Sequence, residues 1–243
     1  LRVNVGGSWM RTANDEPNHD YEQSNLQVSV DYALNENLTL DVQALFFDAL
    51  SGTPGDRKAE GFPQMEDFQD TCSWIISPRF RIQMGEKIGV SMTYSRSEDT
   101  LVGKTTTVFG GFAFASFNDF KTAVDQVDLQ VDVDFRPGIK INAGFTYLHE
   151  GFLQEDLGEF TLDRFPADDS WNSRSVFAQV QWDLPNGFYI SGGVRYDRYS
   201  DFDSPLTGDF RVSYRYPYGN LTLFFKSASL RRRCSNEILD VPH

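Results

Sequence analysis

Carboxylates are the most abundant groups in this chain that could do chemistry. Three clusters stand out: Asp15-Glu16 with Asp20 and Glu22, Glu66-Asp67 with Asp70, and Asp168-Asp169. Calcium takes about six to eight oxygen ligands, which loop carboxylates can supply, but none of these clusters has the Asp-x-Asp-x-Asp-Gly spacing of a dedicated calcium loop. Solvated loop acids are the default reading. No cofactor is expected, with loop-bound calcium as the alternative the clusters leave open. Carboxylate pairs also serve as acid and base on glycosidic bonds, but 35 acidic residues bring some pairs close by chance. His19, His149 and His243 are scattered, and no nucleophile elbow, His-Glu-x-x-His or phosphate-binding loop accompanies them. An enzyme has no support here. Cys72 and Cys234 are far apart without a Cys-x-x-Cys, and the sequence leaves their pairing open.

A second polar set is ordered rather than clustered. In VDLQVDVDF, residues 127–135, Val127, Leu129, Val131, Val133 and Phe135 alternate with Asp128, Gln130, Asp132 and Asp134. Successive strand side chains point to opposite faces, so this is a strand with one apolar and one acidic face. Elsewhere the polar row takes in Arg195, Asp197, Asp209, Arg211 and Arg215, whose mixed signs suggest pairing between neighbouring strands. Period-two alternation yields about eleven strands, near 1–9, 25–34, 38–48, 73–84, 88–101, 122–135, 139–150, 174–184, 188–199, 206–216 and 220–229. No helical period competes, so the chain reads as all-β.

The connections alternate as strictly as the residues do. Asn35-Glu36-Asn37, Gly85-Glu86-Lys87, Arg136-Pro137-Gly138, Pro185-Asn186-Gly187 and Pro217-Tyr218-Gly219 are tight turns. Between them run long segments at 10–24, 49–72, 102–121 and 151–173, and a shorter one at 200–205. All tight turns therefore lie at one end of the sheet. A Greek-key sandwich has no reason for that arrangement, whereas an up-and-down outer-membrane barrel does. Strands of about ten residues also match the 9–11 or so that cross a bilayer at a tilt. On the apolar rows, Phe135, Trp182, Phe188 and Tyr216 sit near the turn ends, and Trp9, Trp74, Tyr94, Tyr147 and Tyr196 near the long-segment ends. Those are the positions expected of interface aromatics. No apolar run reaches the roughly 18 residues of a membrane helix. A net charge of -13 argues against a nucleic-acid surface.

GGVRYDRYSDFDSPLTGDFRVSYRY, Gly192 to Tyr216, closely resembles a late barrel hairpin of TonB-dependent outer-membrane receptors. There a Gly-x-Arg-Tyr-Asp strand runs into a Tyr-Ser-Asp-Phe loop and an Arg-x-x-x-x-Tyr strand returns. The matching residues are Gly193, Arg195, Tyr196, Asp197, Tyr199, Ser200, Asp201 and Phe202, then Arg211 and Tyr216. Arg232, Ser235, Asn236 and Glu237 fit the family's next element, whose usual Phe and Pro are absent, and SGTPGD at 51–56 is similar to its early Gly-x-Pro-Gly. The resemblance implies a 22-stranded barrel of a Gram-negative outer membrane, filled by a plug domain and importing ferric siderophores, cobalamin or similar nutrients. Its implied partners are outer-membrane lipid, the metal chelate or cobalamin-like ligand, the plug of the same chain and the TonB complex. Residues 1–243 then form a partial barrel domain, without the plug, the signal peptide, the coupling box or the terminal strands. The ending DVPH lacks the family's terminal aromatic.

Within that frame the polar row Asp128, Asp132, Asp134, Arg195, Asp197, Asp209 and Arg211 faces the lumen. The segment TTTVFGGFAFASFNDF, residues 105–120, becomes the candidate substrate loop, with Phe109, Phe112 and Phe114 as contacts. Its five phenylalanines are costly in water, so a ligand, another loop or the plug is expected to cover them. Two alternatives stand beside this reading. A complete small barrel, acting as a passive pore or surface enzyme, requires an even strand count and closure. A soluble carbohydrate-binding β-sandwich requires a second sheet over the apolar rows.

Overall fold

The computed structural model describes residues 1–12, 20–54, 66–109, 112–158, 167–200, 204–216 and 219–228. Among them are eleven strands and no helix: β1 (Arg2–Thr12), β2 (Tyr21–Asn35), β3 (Leu38–Pro54), β4 (Glu66–Met84), β5 (Ile88–Phe109), β6 (Phe112–Arg136), β7 (Ile139–Gly158), β8 (Ala167–Asp183), β9 (Phe188–Tyr199), β10 (Leu206–Tyr216) and β11 (Gly219–Ala228). They form one antiparallel up-and-down sheet in chain order, with β1 and β11 at the ends of that order. All eleven expected strands are present.

Their lengths are not as expected. Eight strands, β1 to β8, extend past the alternating stretch at the long-segment end, and 102–121 is not a loop: β5 runs to Phe109 and β6 starts at Phe112. The run Thr105, Thr106, Thr107, Val108 is β-branched, a residue type that favours strands, so ladder pairing continues where the polar-apolar alternation fades.

At the opposite end the turns are tight. Gly85, Gly138 and Gly187 have φ of 64°, 81° and 81°, the left-handed region that costs glycine nothing. Gly138 is needed for space as well, since a Cβ there would lie 2.5 Å from the Asp183 carbonyl oxygen. That approach lets the Asp183 N–H donate to the Gly138 carbonyl at 2.7 Å.

Two compact units share these strands. The first holds Leu1–Ile82, Ser91–Val127 and Leu148–Ser170. Its register aligns apolar residues across β1 to β4: Val3, Val30, Val42 and Pro78, then Val5, Val28, Ala44 and Ile76, then Gly7, Leu26, Phe46 and Trp74. The next step turns polar with Ser24, Asp48 and Cys72 beside Trp9. The Trp9 indole N–H donates to Glu22 Oε1 at 3.1 Å. On β5 the Tyr94 hydroxyl donates to Asp125 Oδ1 at 2.6 Å, and Arg96 pairs with Asp125 at 2.9 Å. Lys121 and Glu98 pair at 2.6 Å beyond them. The apolar face therefore ends at an aromatic row, and charged residues follow.

The second unit holds Gln83–Val90, Asp128–Tyr147 and Trp171–His243. Its apolar rows are Val176, Tyr196 and Leu206, then Ala178, Val194 and Gly208, then Val180, Gly192, Phe210 and Phe225. Nearer the turns come Trp182, Ile190, Val212 and Leu223, with the Phe188 and Tyr214 rings 4.5 Å apart beside them.

Burial in both units runs opposite to that of a water-soluble domain. Ala49 is the one buried apolar residue among those described, whereas Asp41, Asp67, Ser173, Ser175, Ser191 and Asp197 are all buried. Phe46, Ile76, Val176 and Phe210 are 41–50% exposed. Soluble proteins rarely expose contiguous apolar rows of this extent. Every described strand belongs to one sheet, so the second sheet that the sandwich alternative requires is not found among the described residues.

Candidate functional site

The polar face carries the side-chain bonding. On β6, Asp128 accepts from Thr146 Oγ1 at 2.6 Å, and Asp132 accepts from Gln130 at 3.1 Å and from Asn142. Asp134 and Lys140 are 3.6 Å apart. In the first unit Arg81 donates from Nε to Asp41 at 2.8 Å, and Arg79 donates to Thr93 at 3.1 Å. Apart from Gln130 with Asp132 on β6 itself, these are cross-strand contacts of the kind that hold a polar sheet face together.

The tightest cluster lies on β8 and β9. Buried Asp197 accepts from Arg195 Nε at 2.8 Å and from the Ser175 hydroxyl, while Arg195 Nη2 donates to Ser175 at 3.0 Å. The pairing expected between the Arg195/Asp197 charges and the Asp209/Arg211 charges of the neighbouring strand is thereby corrected: Arg195 pairs with Asp197 instead. Both residues are on β9, two apart on one face, and Ser175 of β8 supplies the cross-strand link. An arginine side chain is long enough to fold back along its own strand, and the short Ser175 leaves room for it to do so.

Beside this cluster the face dips into a groove of about 280 Å³ lined by Phe177, Gln179, Gly193, Arg195, Thr207, Asp209 and Lys226. Glycine makes the dip: a Cβ at Gly193 would come within 3.1 Å of Asp209 Oδ1. Asp209 faces Gly193 on one side and Lys226 on the other, and Arg195 stands opposite Thr207. The groove therefore offers two cations, one carboxylate and one aromatic edge, a set suited to holding a polar solute by charge-assisted hydrogen bonds. Phe177 is fixed in turn by Gly144, where a Cβ would meet the Phe177 ring at 2.5 Å and the Leu129 carbonyl oxygen at 2.7 Å.

The remaining expected site residues are placed as follows. Arg211 lies on the polar row of β10 opposite Ser191. Trp74, Trp182, Phe188 and Tyr196 lie on apolar rows at the expected ends of their strands. Tyr94, Phe135 and Tyr147 share the alternation of β5, β6 and β7 with the apolar residues of those strands. Tyr216 ends β10, and its side chain lies outside the described residues. Phe112 is 70% exposed, and Phe114 is half-buried on the same β6 row as Phe120. Phe120 and Phe152 have ring centroids 6.3 Å apart. Phe109 ends β5, with its side chain outside the described residues.

Of the acidic clusters, Asp67 is buried and committed to Thr106, accepting from its N–H at 2.9 Å and its hydroxyl at 2.7 Å. Asp15 and Glu16 lie outside the described residues, as do the side chains of Glu66 and Asp168. Among the described residues no three metal-ligating side chains gather. Cys72 has a free thiol, and Cys234 lies outside the described residues.

Residues 2–231 of this chain match the family described as TonB dependent receptor-like, beta-barrel. The chain belongs to that family. Solved structures agree on the fold. The ferric preacinetobactin receptor BauA of Acinetobacter baumannii aligns with a TM-score of 0.63 and 11% identity, covering 88% of this chain and 40% of that one. FpvA of P. aeruginosa, solved with a ferric pyoverdine, gives 0.70 and 8%, covering 89% and 36%. The ferric yersiniabactin uptake receptor FyuA of Yersinia pestis gives 0.61 and 11%, covering 93% and 38%. No curated protein matches at a significant level. The chain spans roughly two fifths of the length of these three receptors. As a TonB-dependent receptor barrel it belongs to a family of receptors, and its groove lies on the polar wall of that barrel fold.

Proposed function

We propose that this chain forms part of the barrel wall of a TonB-dependent receptor in a Gram-negative outer membrane, and that the receptor imports a metal chelate such as a ferric siderophore, or a cobalamin-like nutrient. In this reading the apolar rows contact lipid, the polar rows line the lumen, a plug domain of the same protein occupies that lumen, and the TonB complex drives transport. The observation that carries it is the inverted burial: aspartates and serines bonded on one face, with phenylalanines, isoleucines and valines uncovered on the other. BauA and FyuA are named for iron chelates, which favours that substrate class over others.

The β5–β6 hairpin is the part of the wall suited to meet the substrate. Thirteen residues separate Arg96 from Phe109, about 43 Å along a strand at ~3.3 Å per residue, all of it past the aromatic row. Phe112 and Phe114 stand on this extension, and aromatic faces are apt partners for the apolar shell of a chelate. Replacing Phe109, Phe112 and Phe114 with Ser in the full-length receptor is expected to lower chelate uptake at least about tenfold, the effect of losing roughly 1.4 kcal/mol of binding. Heat-modifiable gel migration, which reports barrel assembly, is expected to stay unchanged. Normal uptake by the triple variant would remove this hairpin from the transport path.

A further inference from the structure

On the apolar side of the second unit, β8 and β9 change character in a single step. Val176 lies opposite Tyr196, and the next same-face pair is Arg174 directly opposite Arg198, both exposed. Like charges facing each other across a ladder repel. Three arginines elsewhere are neutralised, Arg81 by Asp41, Arg96 by Asp125 and Arg195 by Asp197, and no other two arginines stand face to face across the ladders of β1 to β4 or β8 to β11. Arg174 and Arg198 have no carboxylate partner among the described residues.

The surroundings are built rather than loose. The Arg174 guanidinium stands 5.9 Å over the Tyr147 ring, and the Tyr147 hydroxyl donates to Asn172 Oδ1 at 2.8 Å. Asn172 is locked to Ser200, its N–H donating to Ser200 Oγ at 3.1 Å and the Ser200 N–H to its carbonyl at 2.9 Å. These residues, with Arg198 and Tyr199, line a recess of about 340 Å³. Two guanidinium forks over one recess match a tetrahedral dianion better than a planar carboxylate, because each fork can take two oxygens.

We propose that Arg174 and Arg198 hold the phosphate of a lipid headgroup. The inference rests on the membrane reading given above. Its depth follows from the same rows. Tyr147 and Tyr196 are aromatic residues of the kind that collect at headgroup level, and Val176, Ala178 and Val194 continue on the same face where acyl chains would lie. A lipid phosphate is therefore favoured over a free one, since the apolar rows extend the site toward the bilayer.

The test uses the full-length receptor in detergent micelles, with native mass spectrometry as the readout. Diphosphorylated lipid A, the same glycolipid after dephosphorylation, and inorganic phosphate are the three probes. Wild-type receptor is expected to retain one diphosphorylated lipid, and the Arg174→Gln/Arg198→Gln variant to bind it at least about tenfold more weakly, in keeping with lost charge-assisted contacts. Heat-modifiable migration should be unaltered. The dephosphorylated lipid is expected to bind as weakly to the wild type as the phosphorylated lipid does to the variant. Equal retention by wild type and variant, or of both lipids, overturns the proposal and leaves the receptor reading intact. Inorganic phosphate bound as tightly as the lipid overturns the lipid source. A full-length protein that does not enter membranes removes both readings together.

Discussion

An arginine at position 178 separates a lipid-facing row from any other exposed surface. Ala178 lies midway between Arg174 and Trp182 on the apolar row of β8, four residues or about 13 Å along the strand from each. It is exposed, so in water Ala178→Arg falls within the roughly 0.5 kcal/mol of ordinary surface substitutions. At the middle of a bilayer the same change costs about 2–4 kcal/mol on a barrel's lipid face. At ~1.4 kcal/mol per decade that is about 30- to 700-fold in the folding equilibrium. Gln179, the next residue, is on the polar row, opposite Gly193. Gln179→Arg meets water in either case and is expected to cost under about 1 kcal/mol. The assay is guanidinium-dependent folding of the full-length receptor into phosphatidylcholine vesicles, scored by heat-modifiable migration. Equal costs at 178 and 179, or no cost at 178, would refute the assignment of that row to lipid.

Three further outcomes follow from particular contacts. Asp197→Ala leaves Arg195 and Ser175 without their buried acceptor and is expected to destabilise the barrel by about 1–3 kcal/mol in the same vesicle assay, whereas Asp209→Ala, at the rim of the groove, should cost less. Gly144→Ala forces a methyl against both the Phe177 ring and the Leu129 carbonyl and is expected to cost about 1–3 kcal/mol; adding Phe177→Ala should recover only part, because the backbone contact persists. Cys72, beyond the aromatic row, has its thiol pKa raised by burial and then by the Asp48, Asp70 and Glu98 carboxylates, so less thiolate is present at a given pH. Asp48→Asn/Asp70→Asn lowers that pKa, and faster labelling of whole cells by an impermeant maleimide at pH 7.5 is the expected result; an unchanged rate would show that the carboxylates do not act on the thiol.

How much of this was legible in the sequence depends on where the apolar face stops. Between the turns and the aromatic rows one face is apolar and the other polar, so residues such as 127–135 and 176–184 alternate and their strands are unmistakable. Past those rows the face that was apolar becomes charged. Arg96, Glu98 and Lys121 then occupy positions that valine or phenylalanine holds lower down, and the hydrophobic period vanishes although the ladder continues. Extended strands thus looked like loops. The β-branched run at 105–108 was the available signal for the longer hairpin. The polar row was readable as a row, but its bonding was not: nothing in the spacing tells whether Arg195 folds back to Asp197 or reaches across. Gly144 is likewise mute until Phe177 is seen lying over it, because the two are 33 residues apart in chain and neighbours only through strand pairing.

The reach of β5 and β6 beyond the aromatic row constrains how such a wall can change length. A loop accepts an insertion of any size, but a strand has a period of two, and one added residue sends every side chain beyond it to the opposite face. Within 96–109 or 112–125, a single insertion would exchange the face of Phe112, Phe114 and Phe120 with that of Lys121 and Asp125, and likewise along β5, for the rest of the strand. Length variation that preserves this wall is therefore confined to even steps within the strands, and receptors of this design should differ in height by whole pleats.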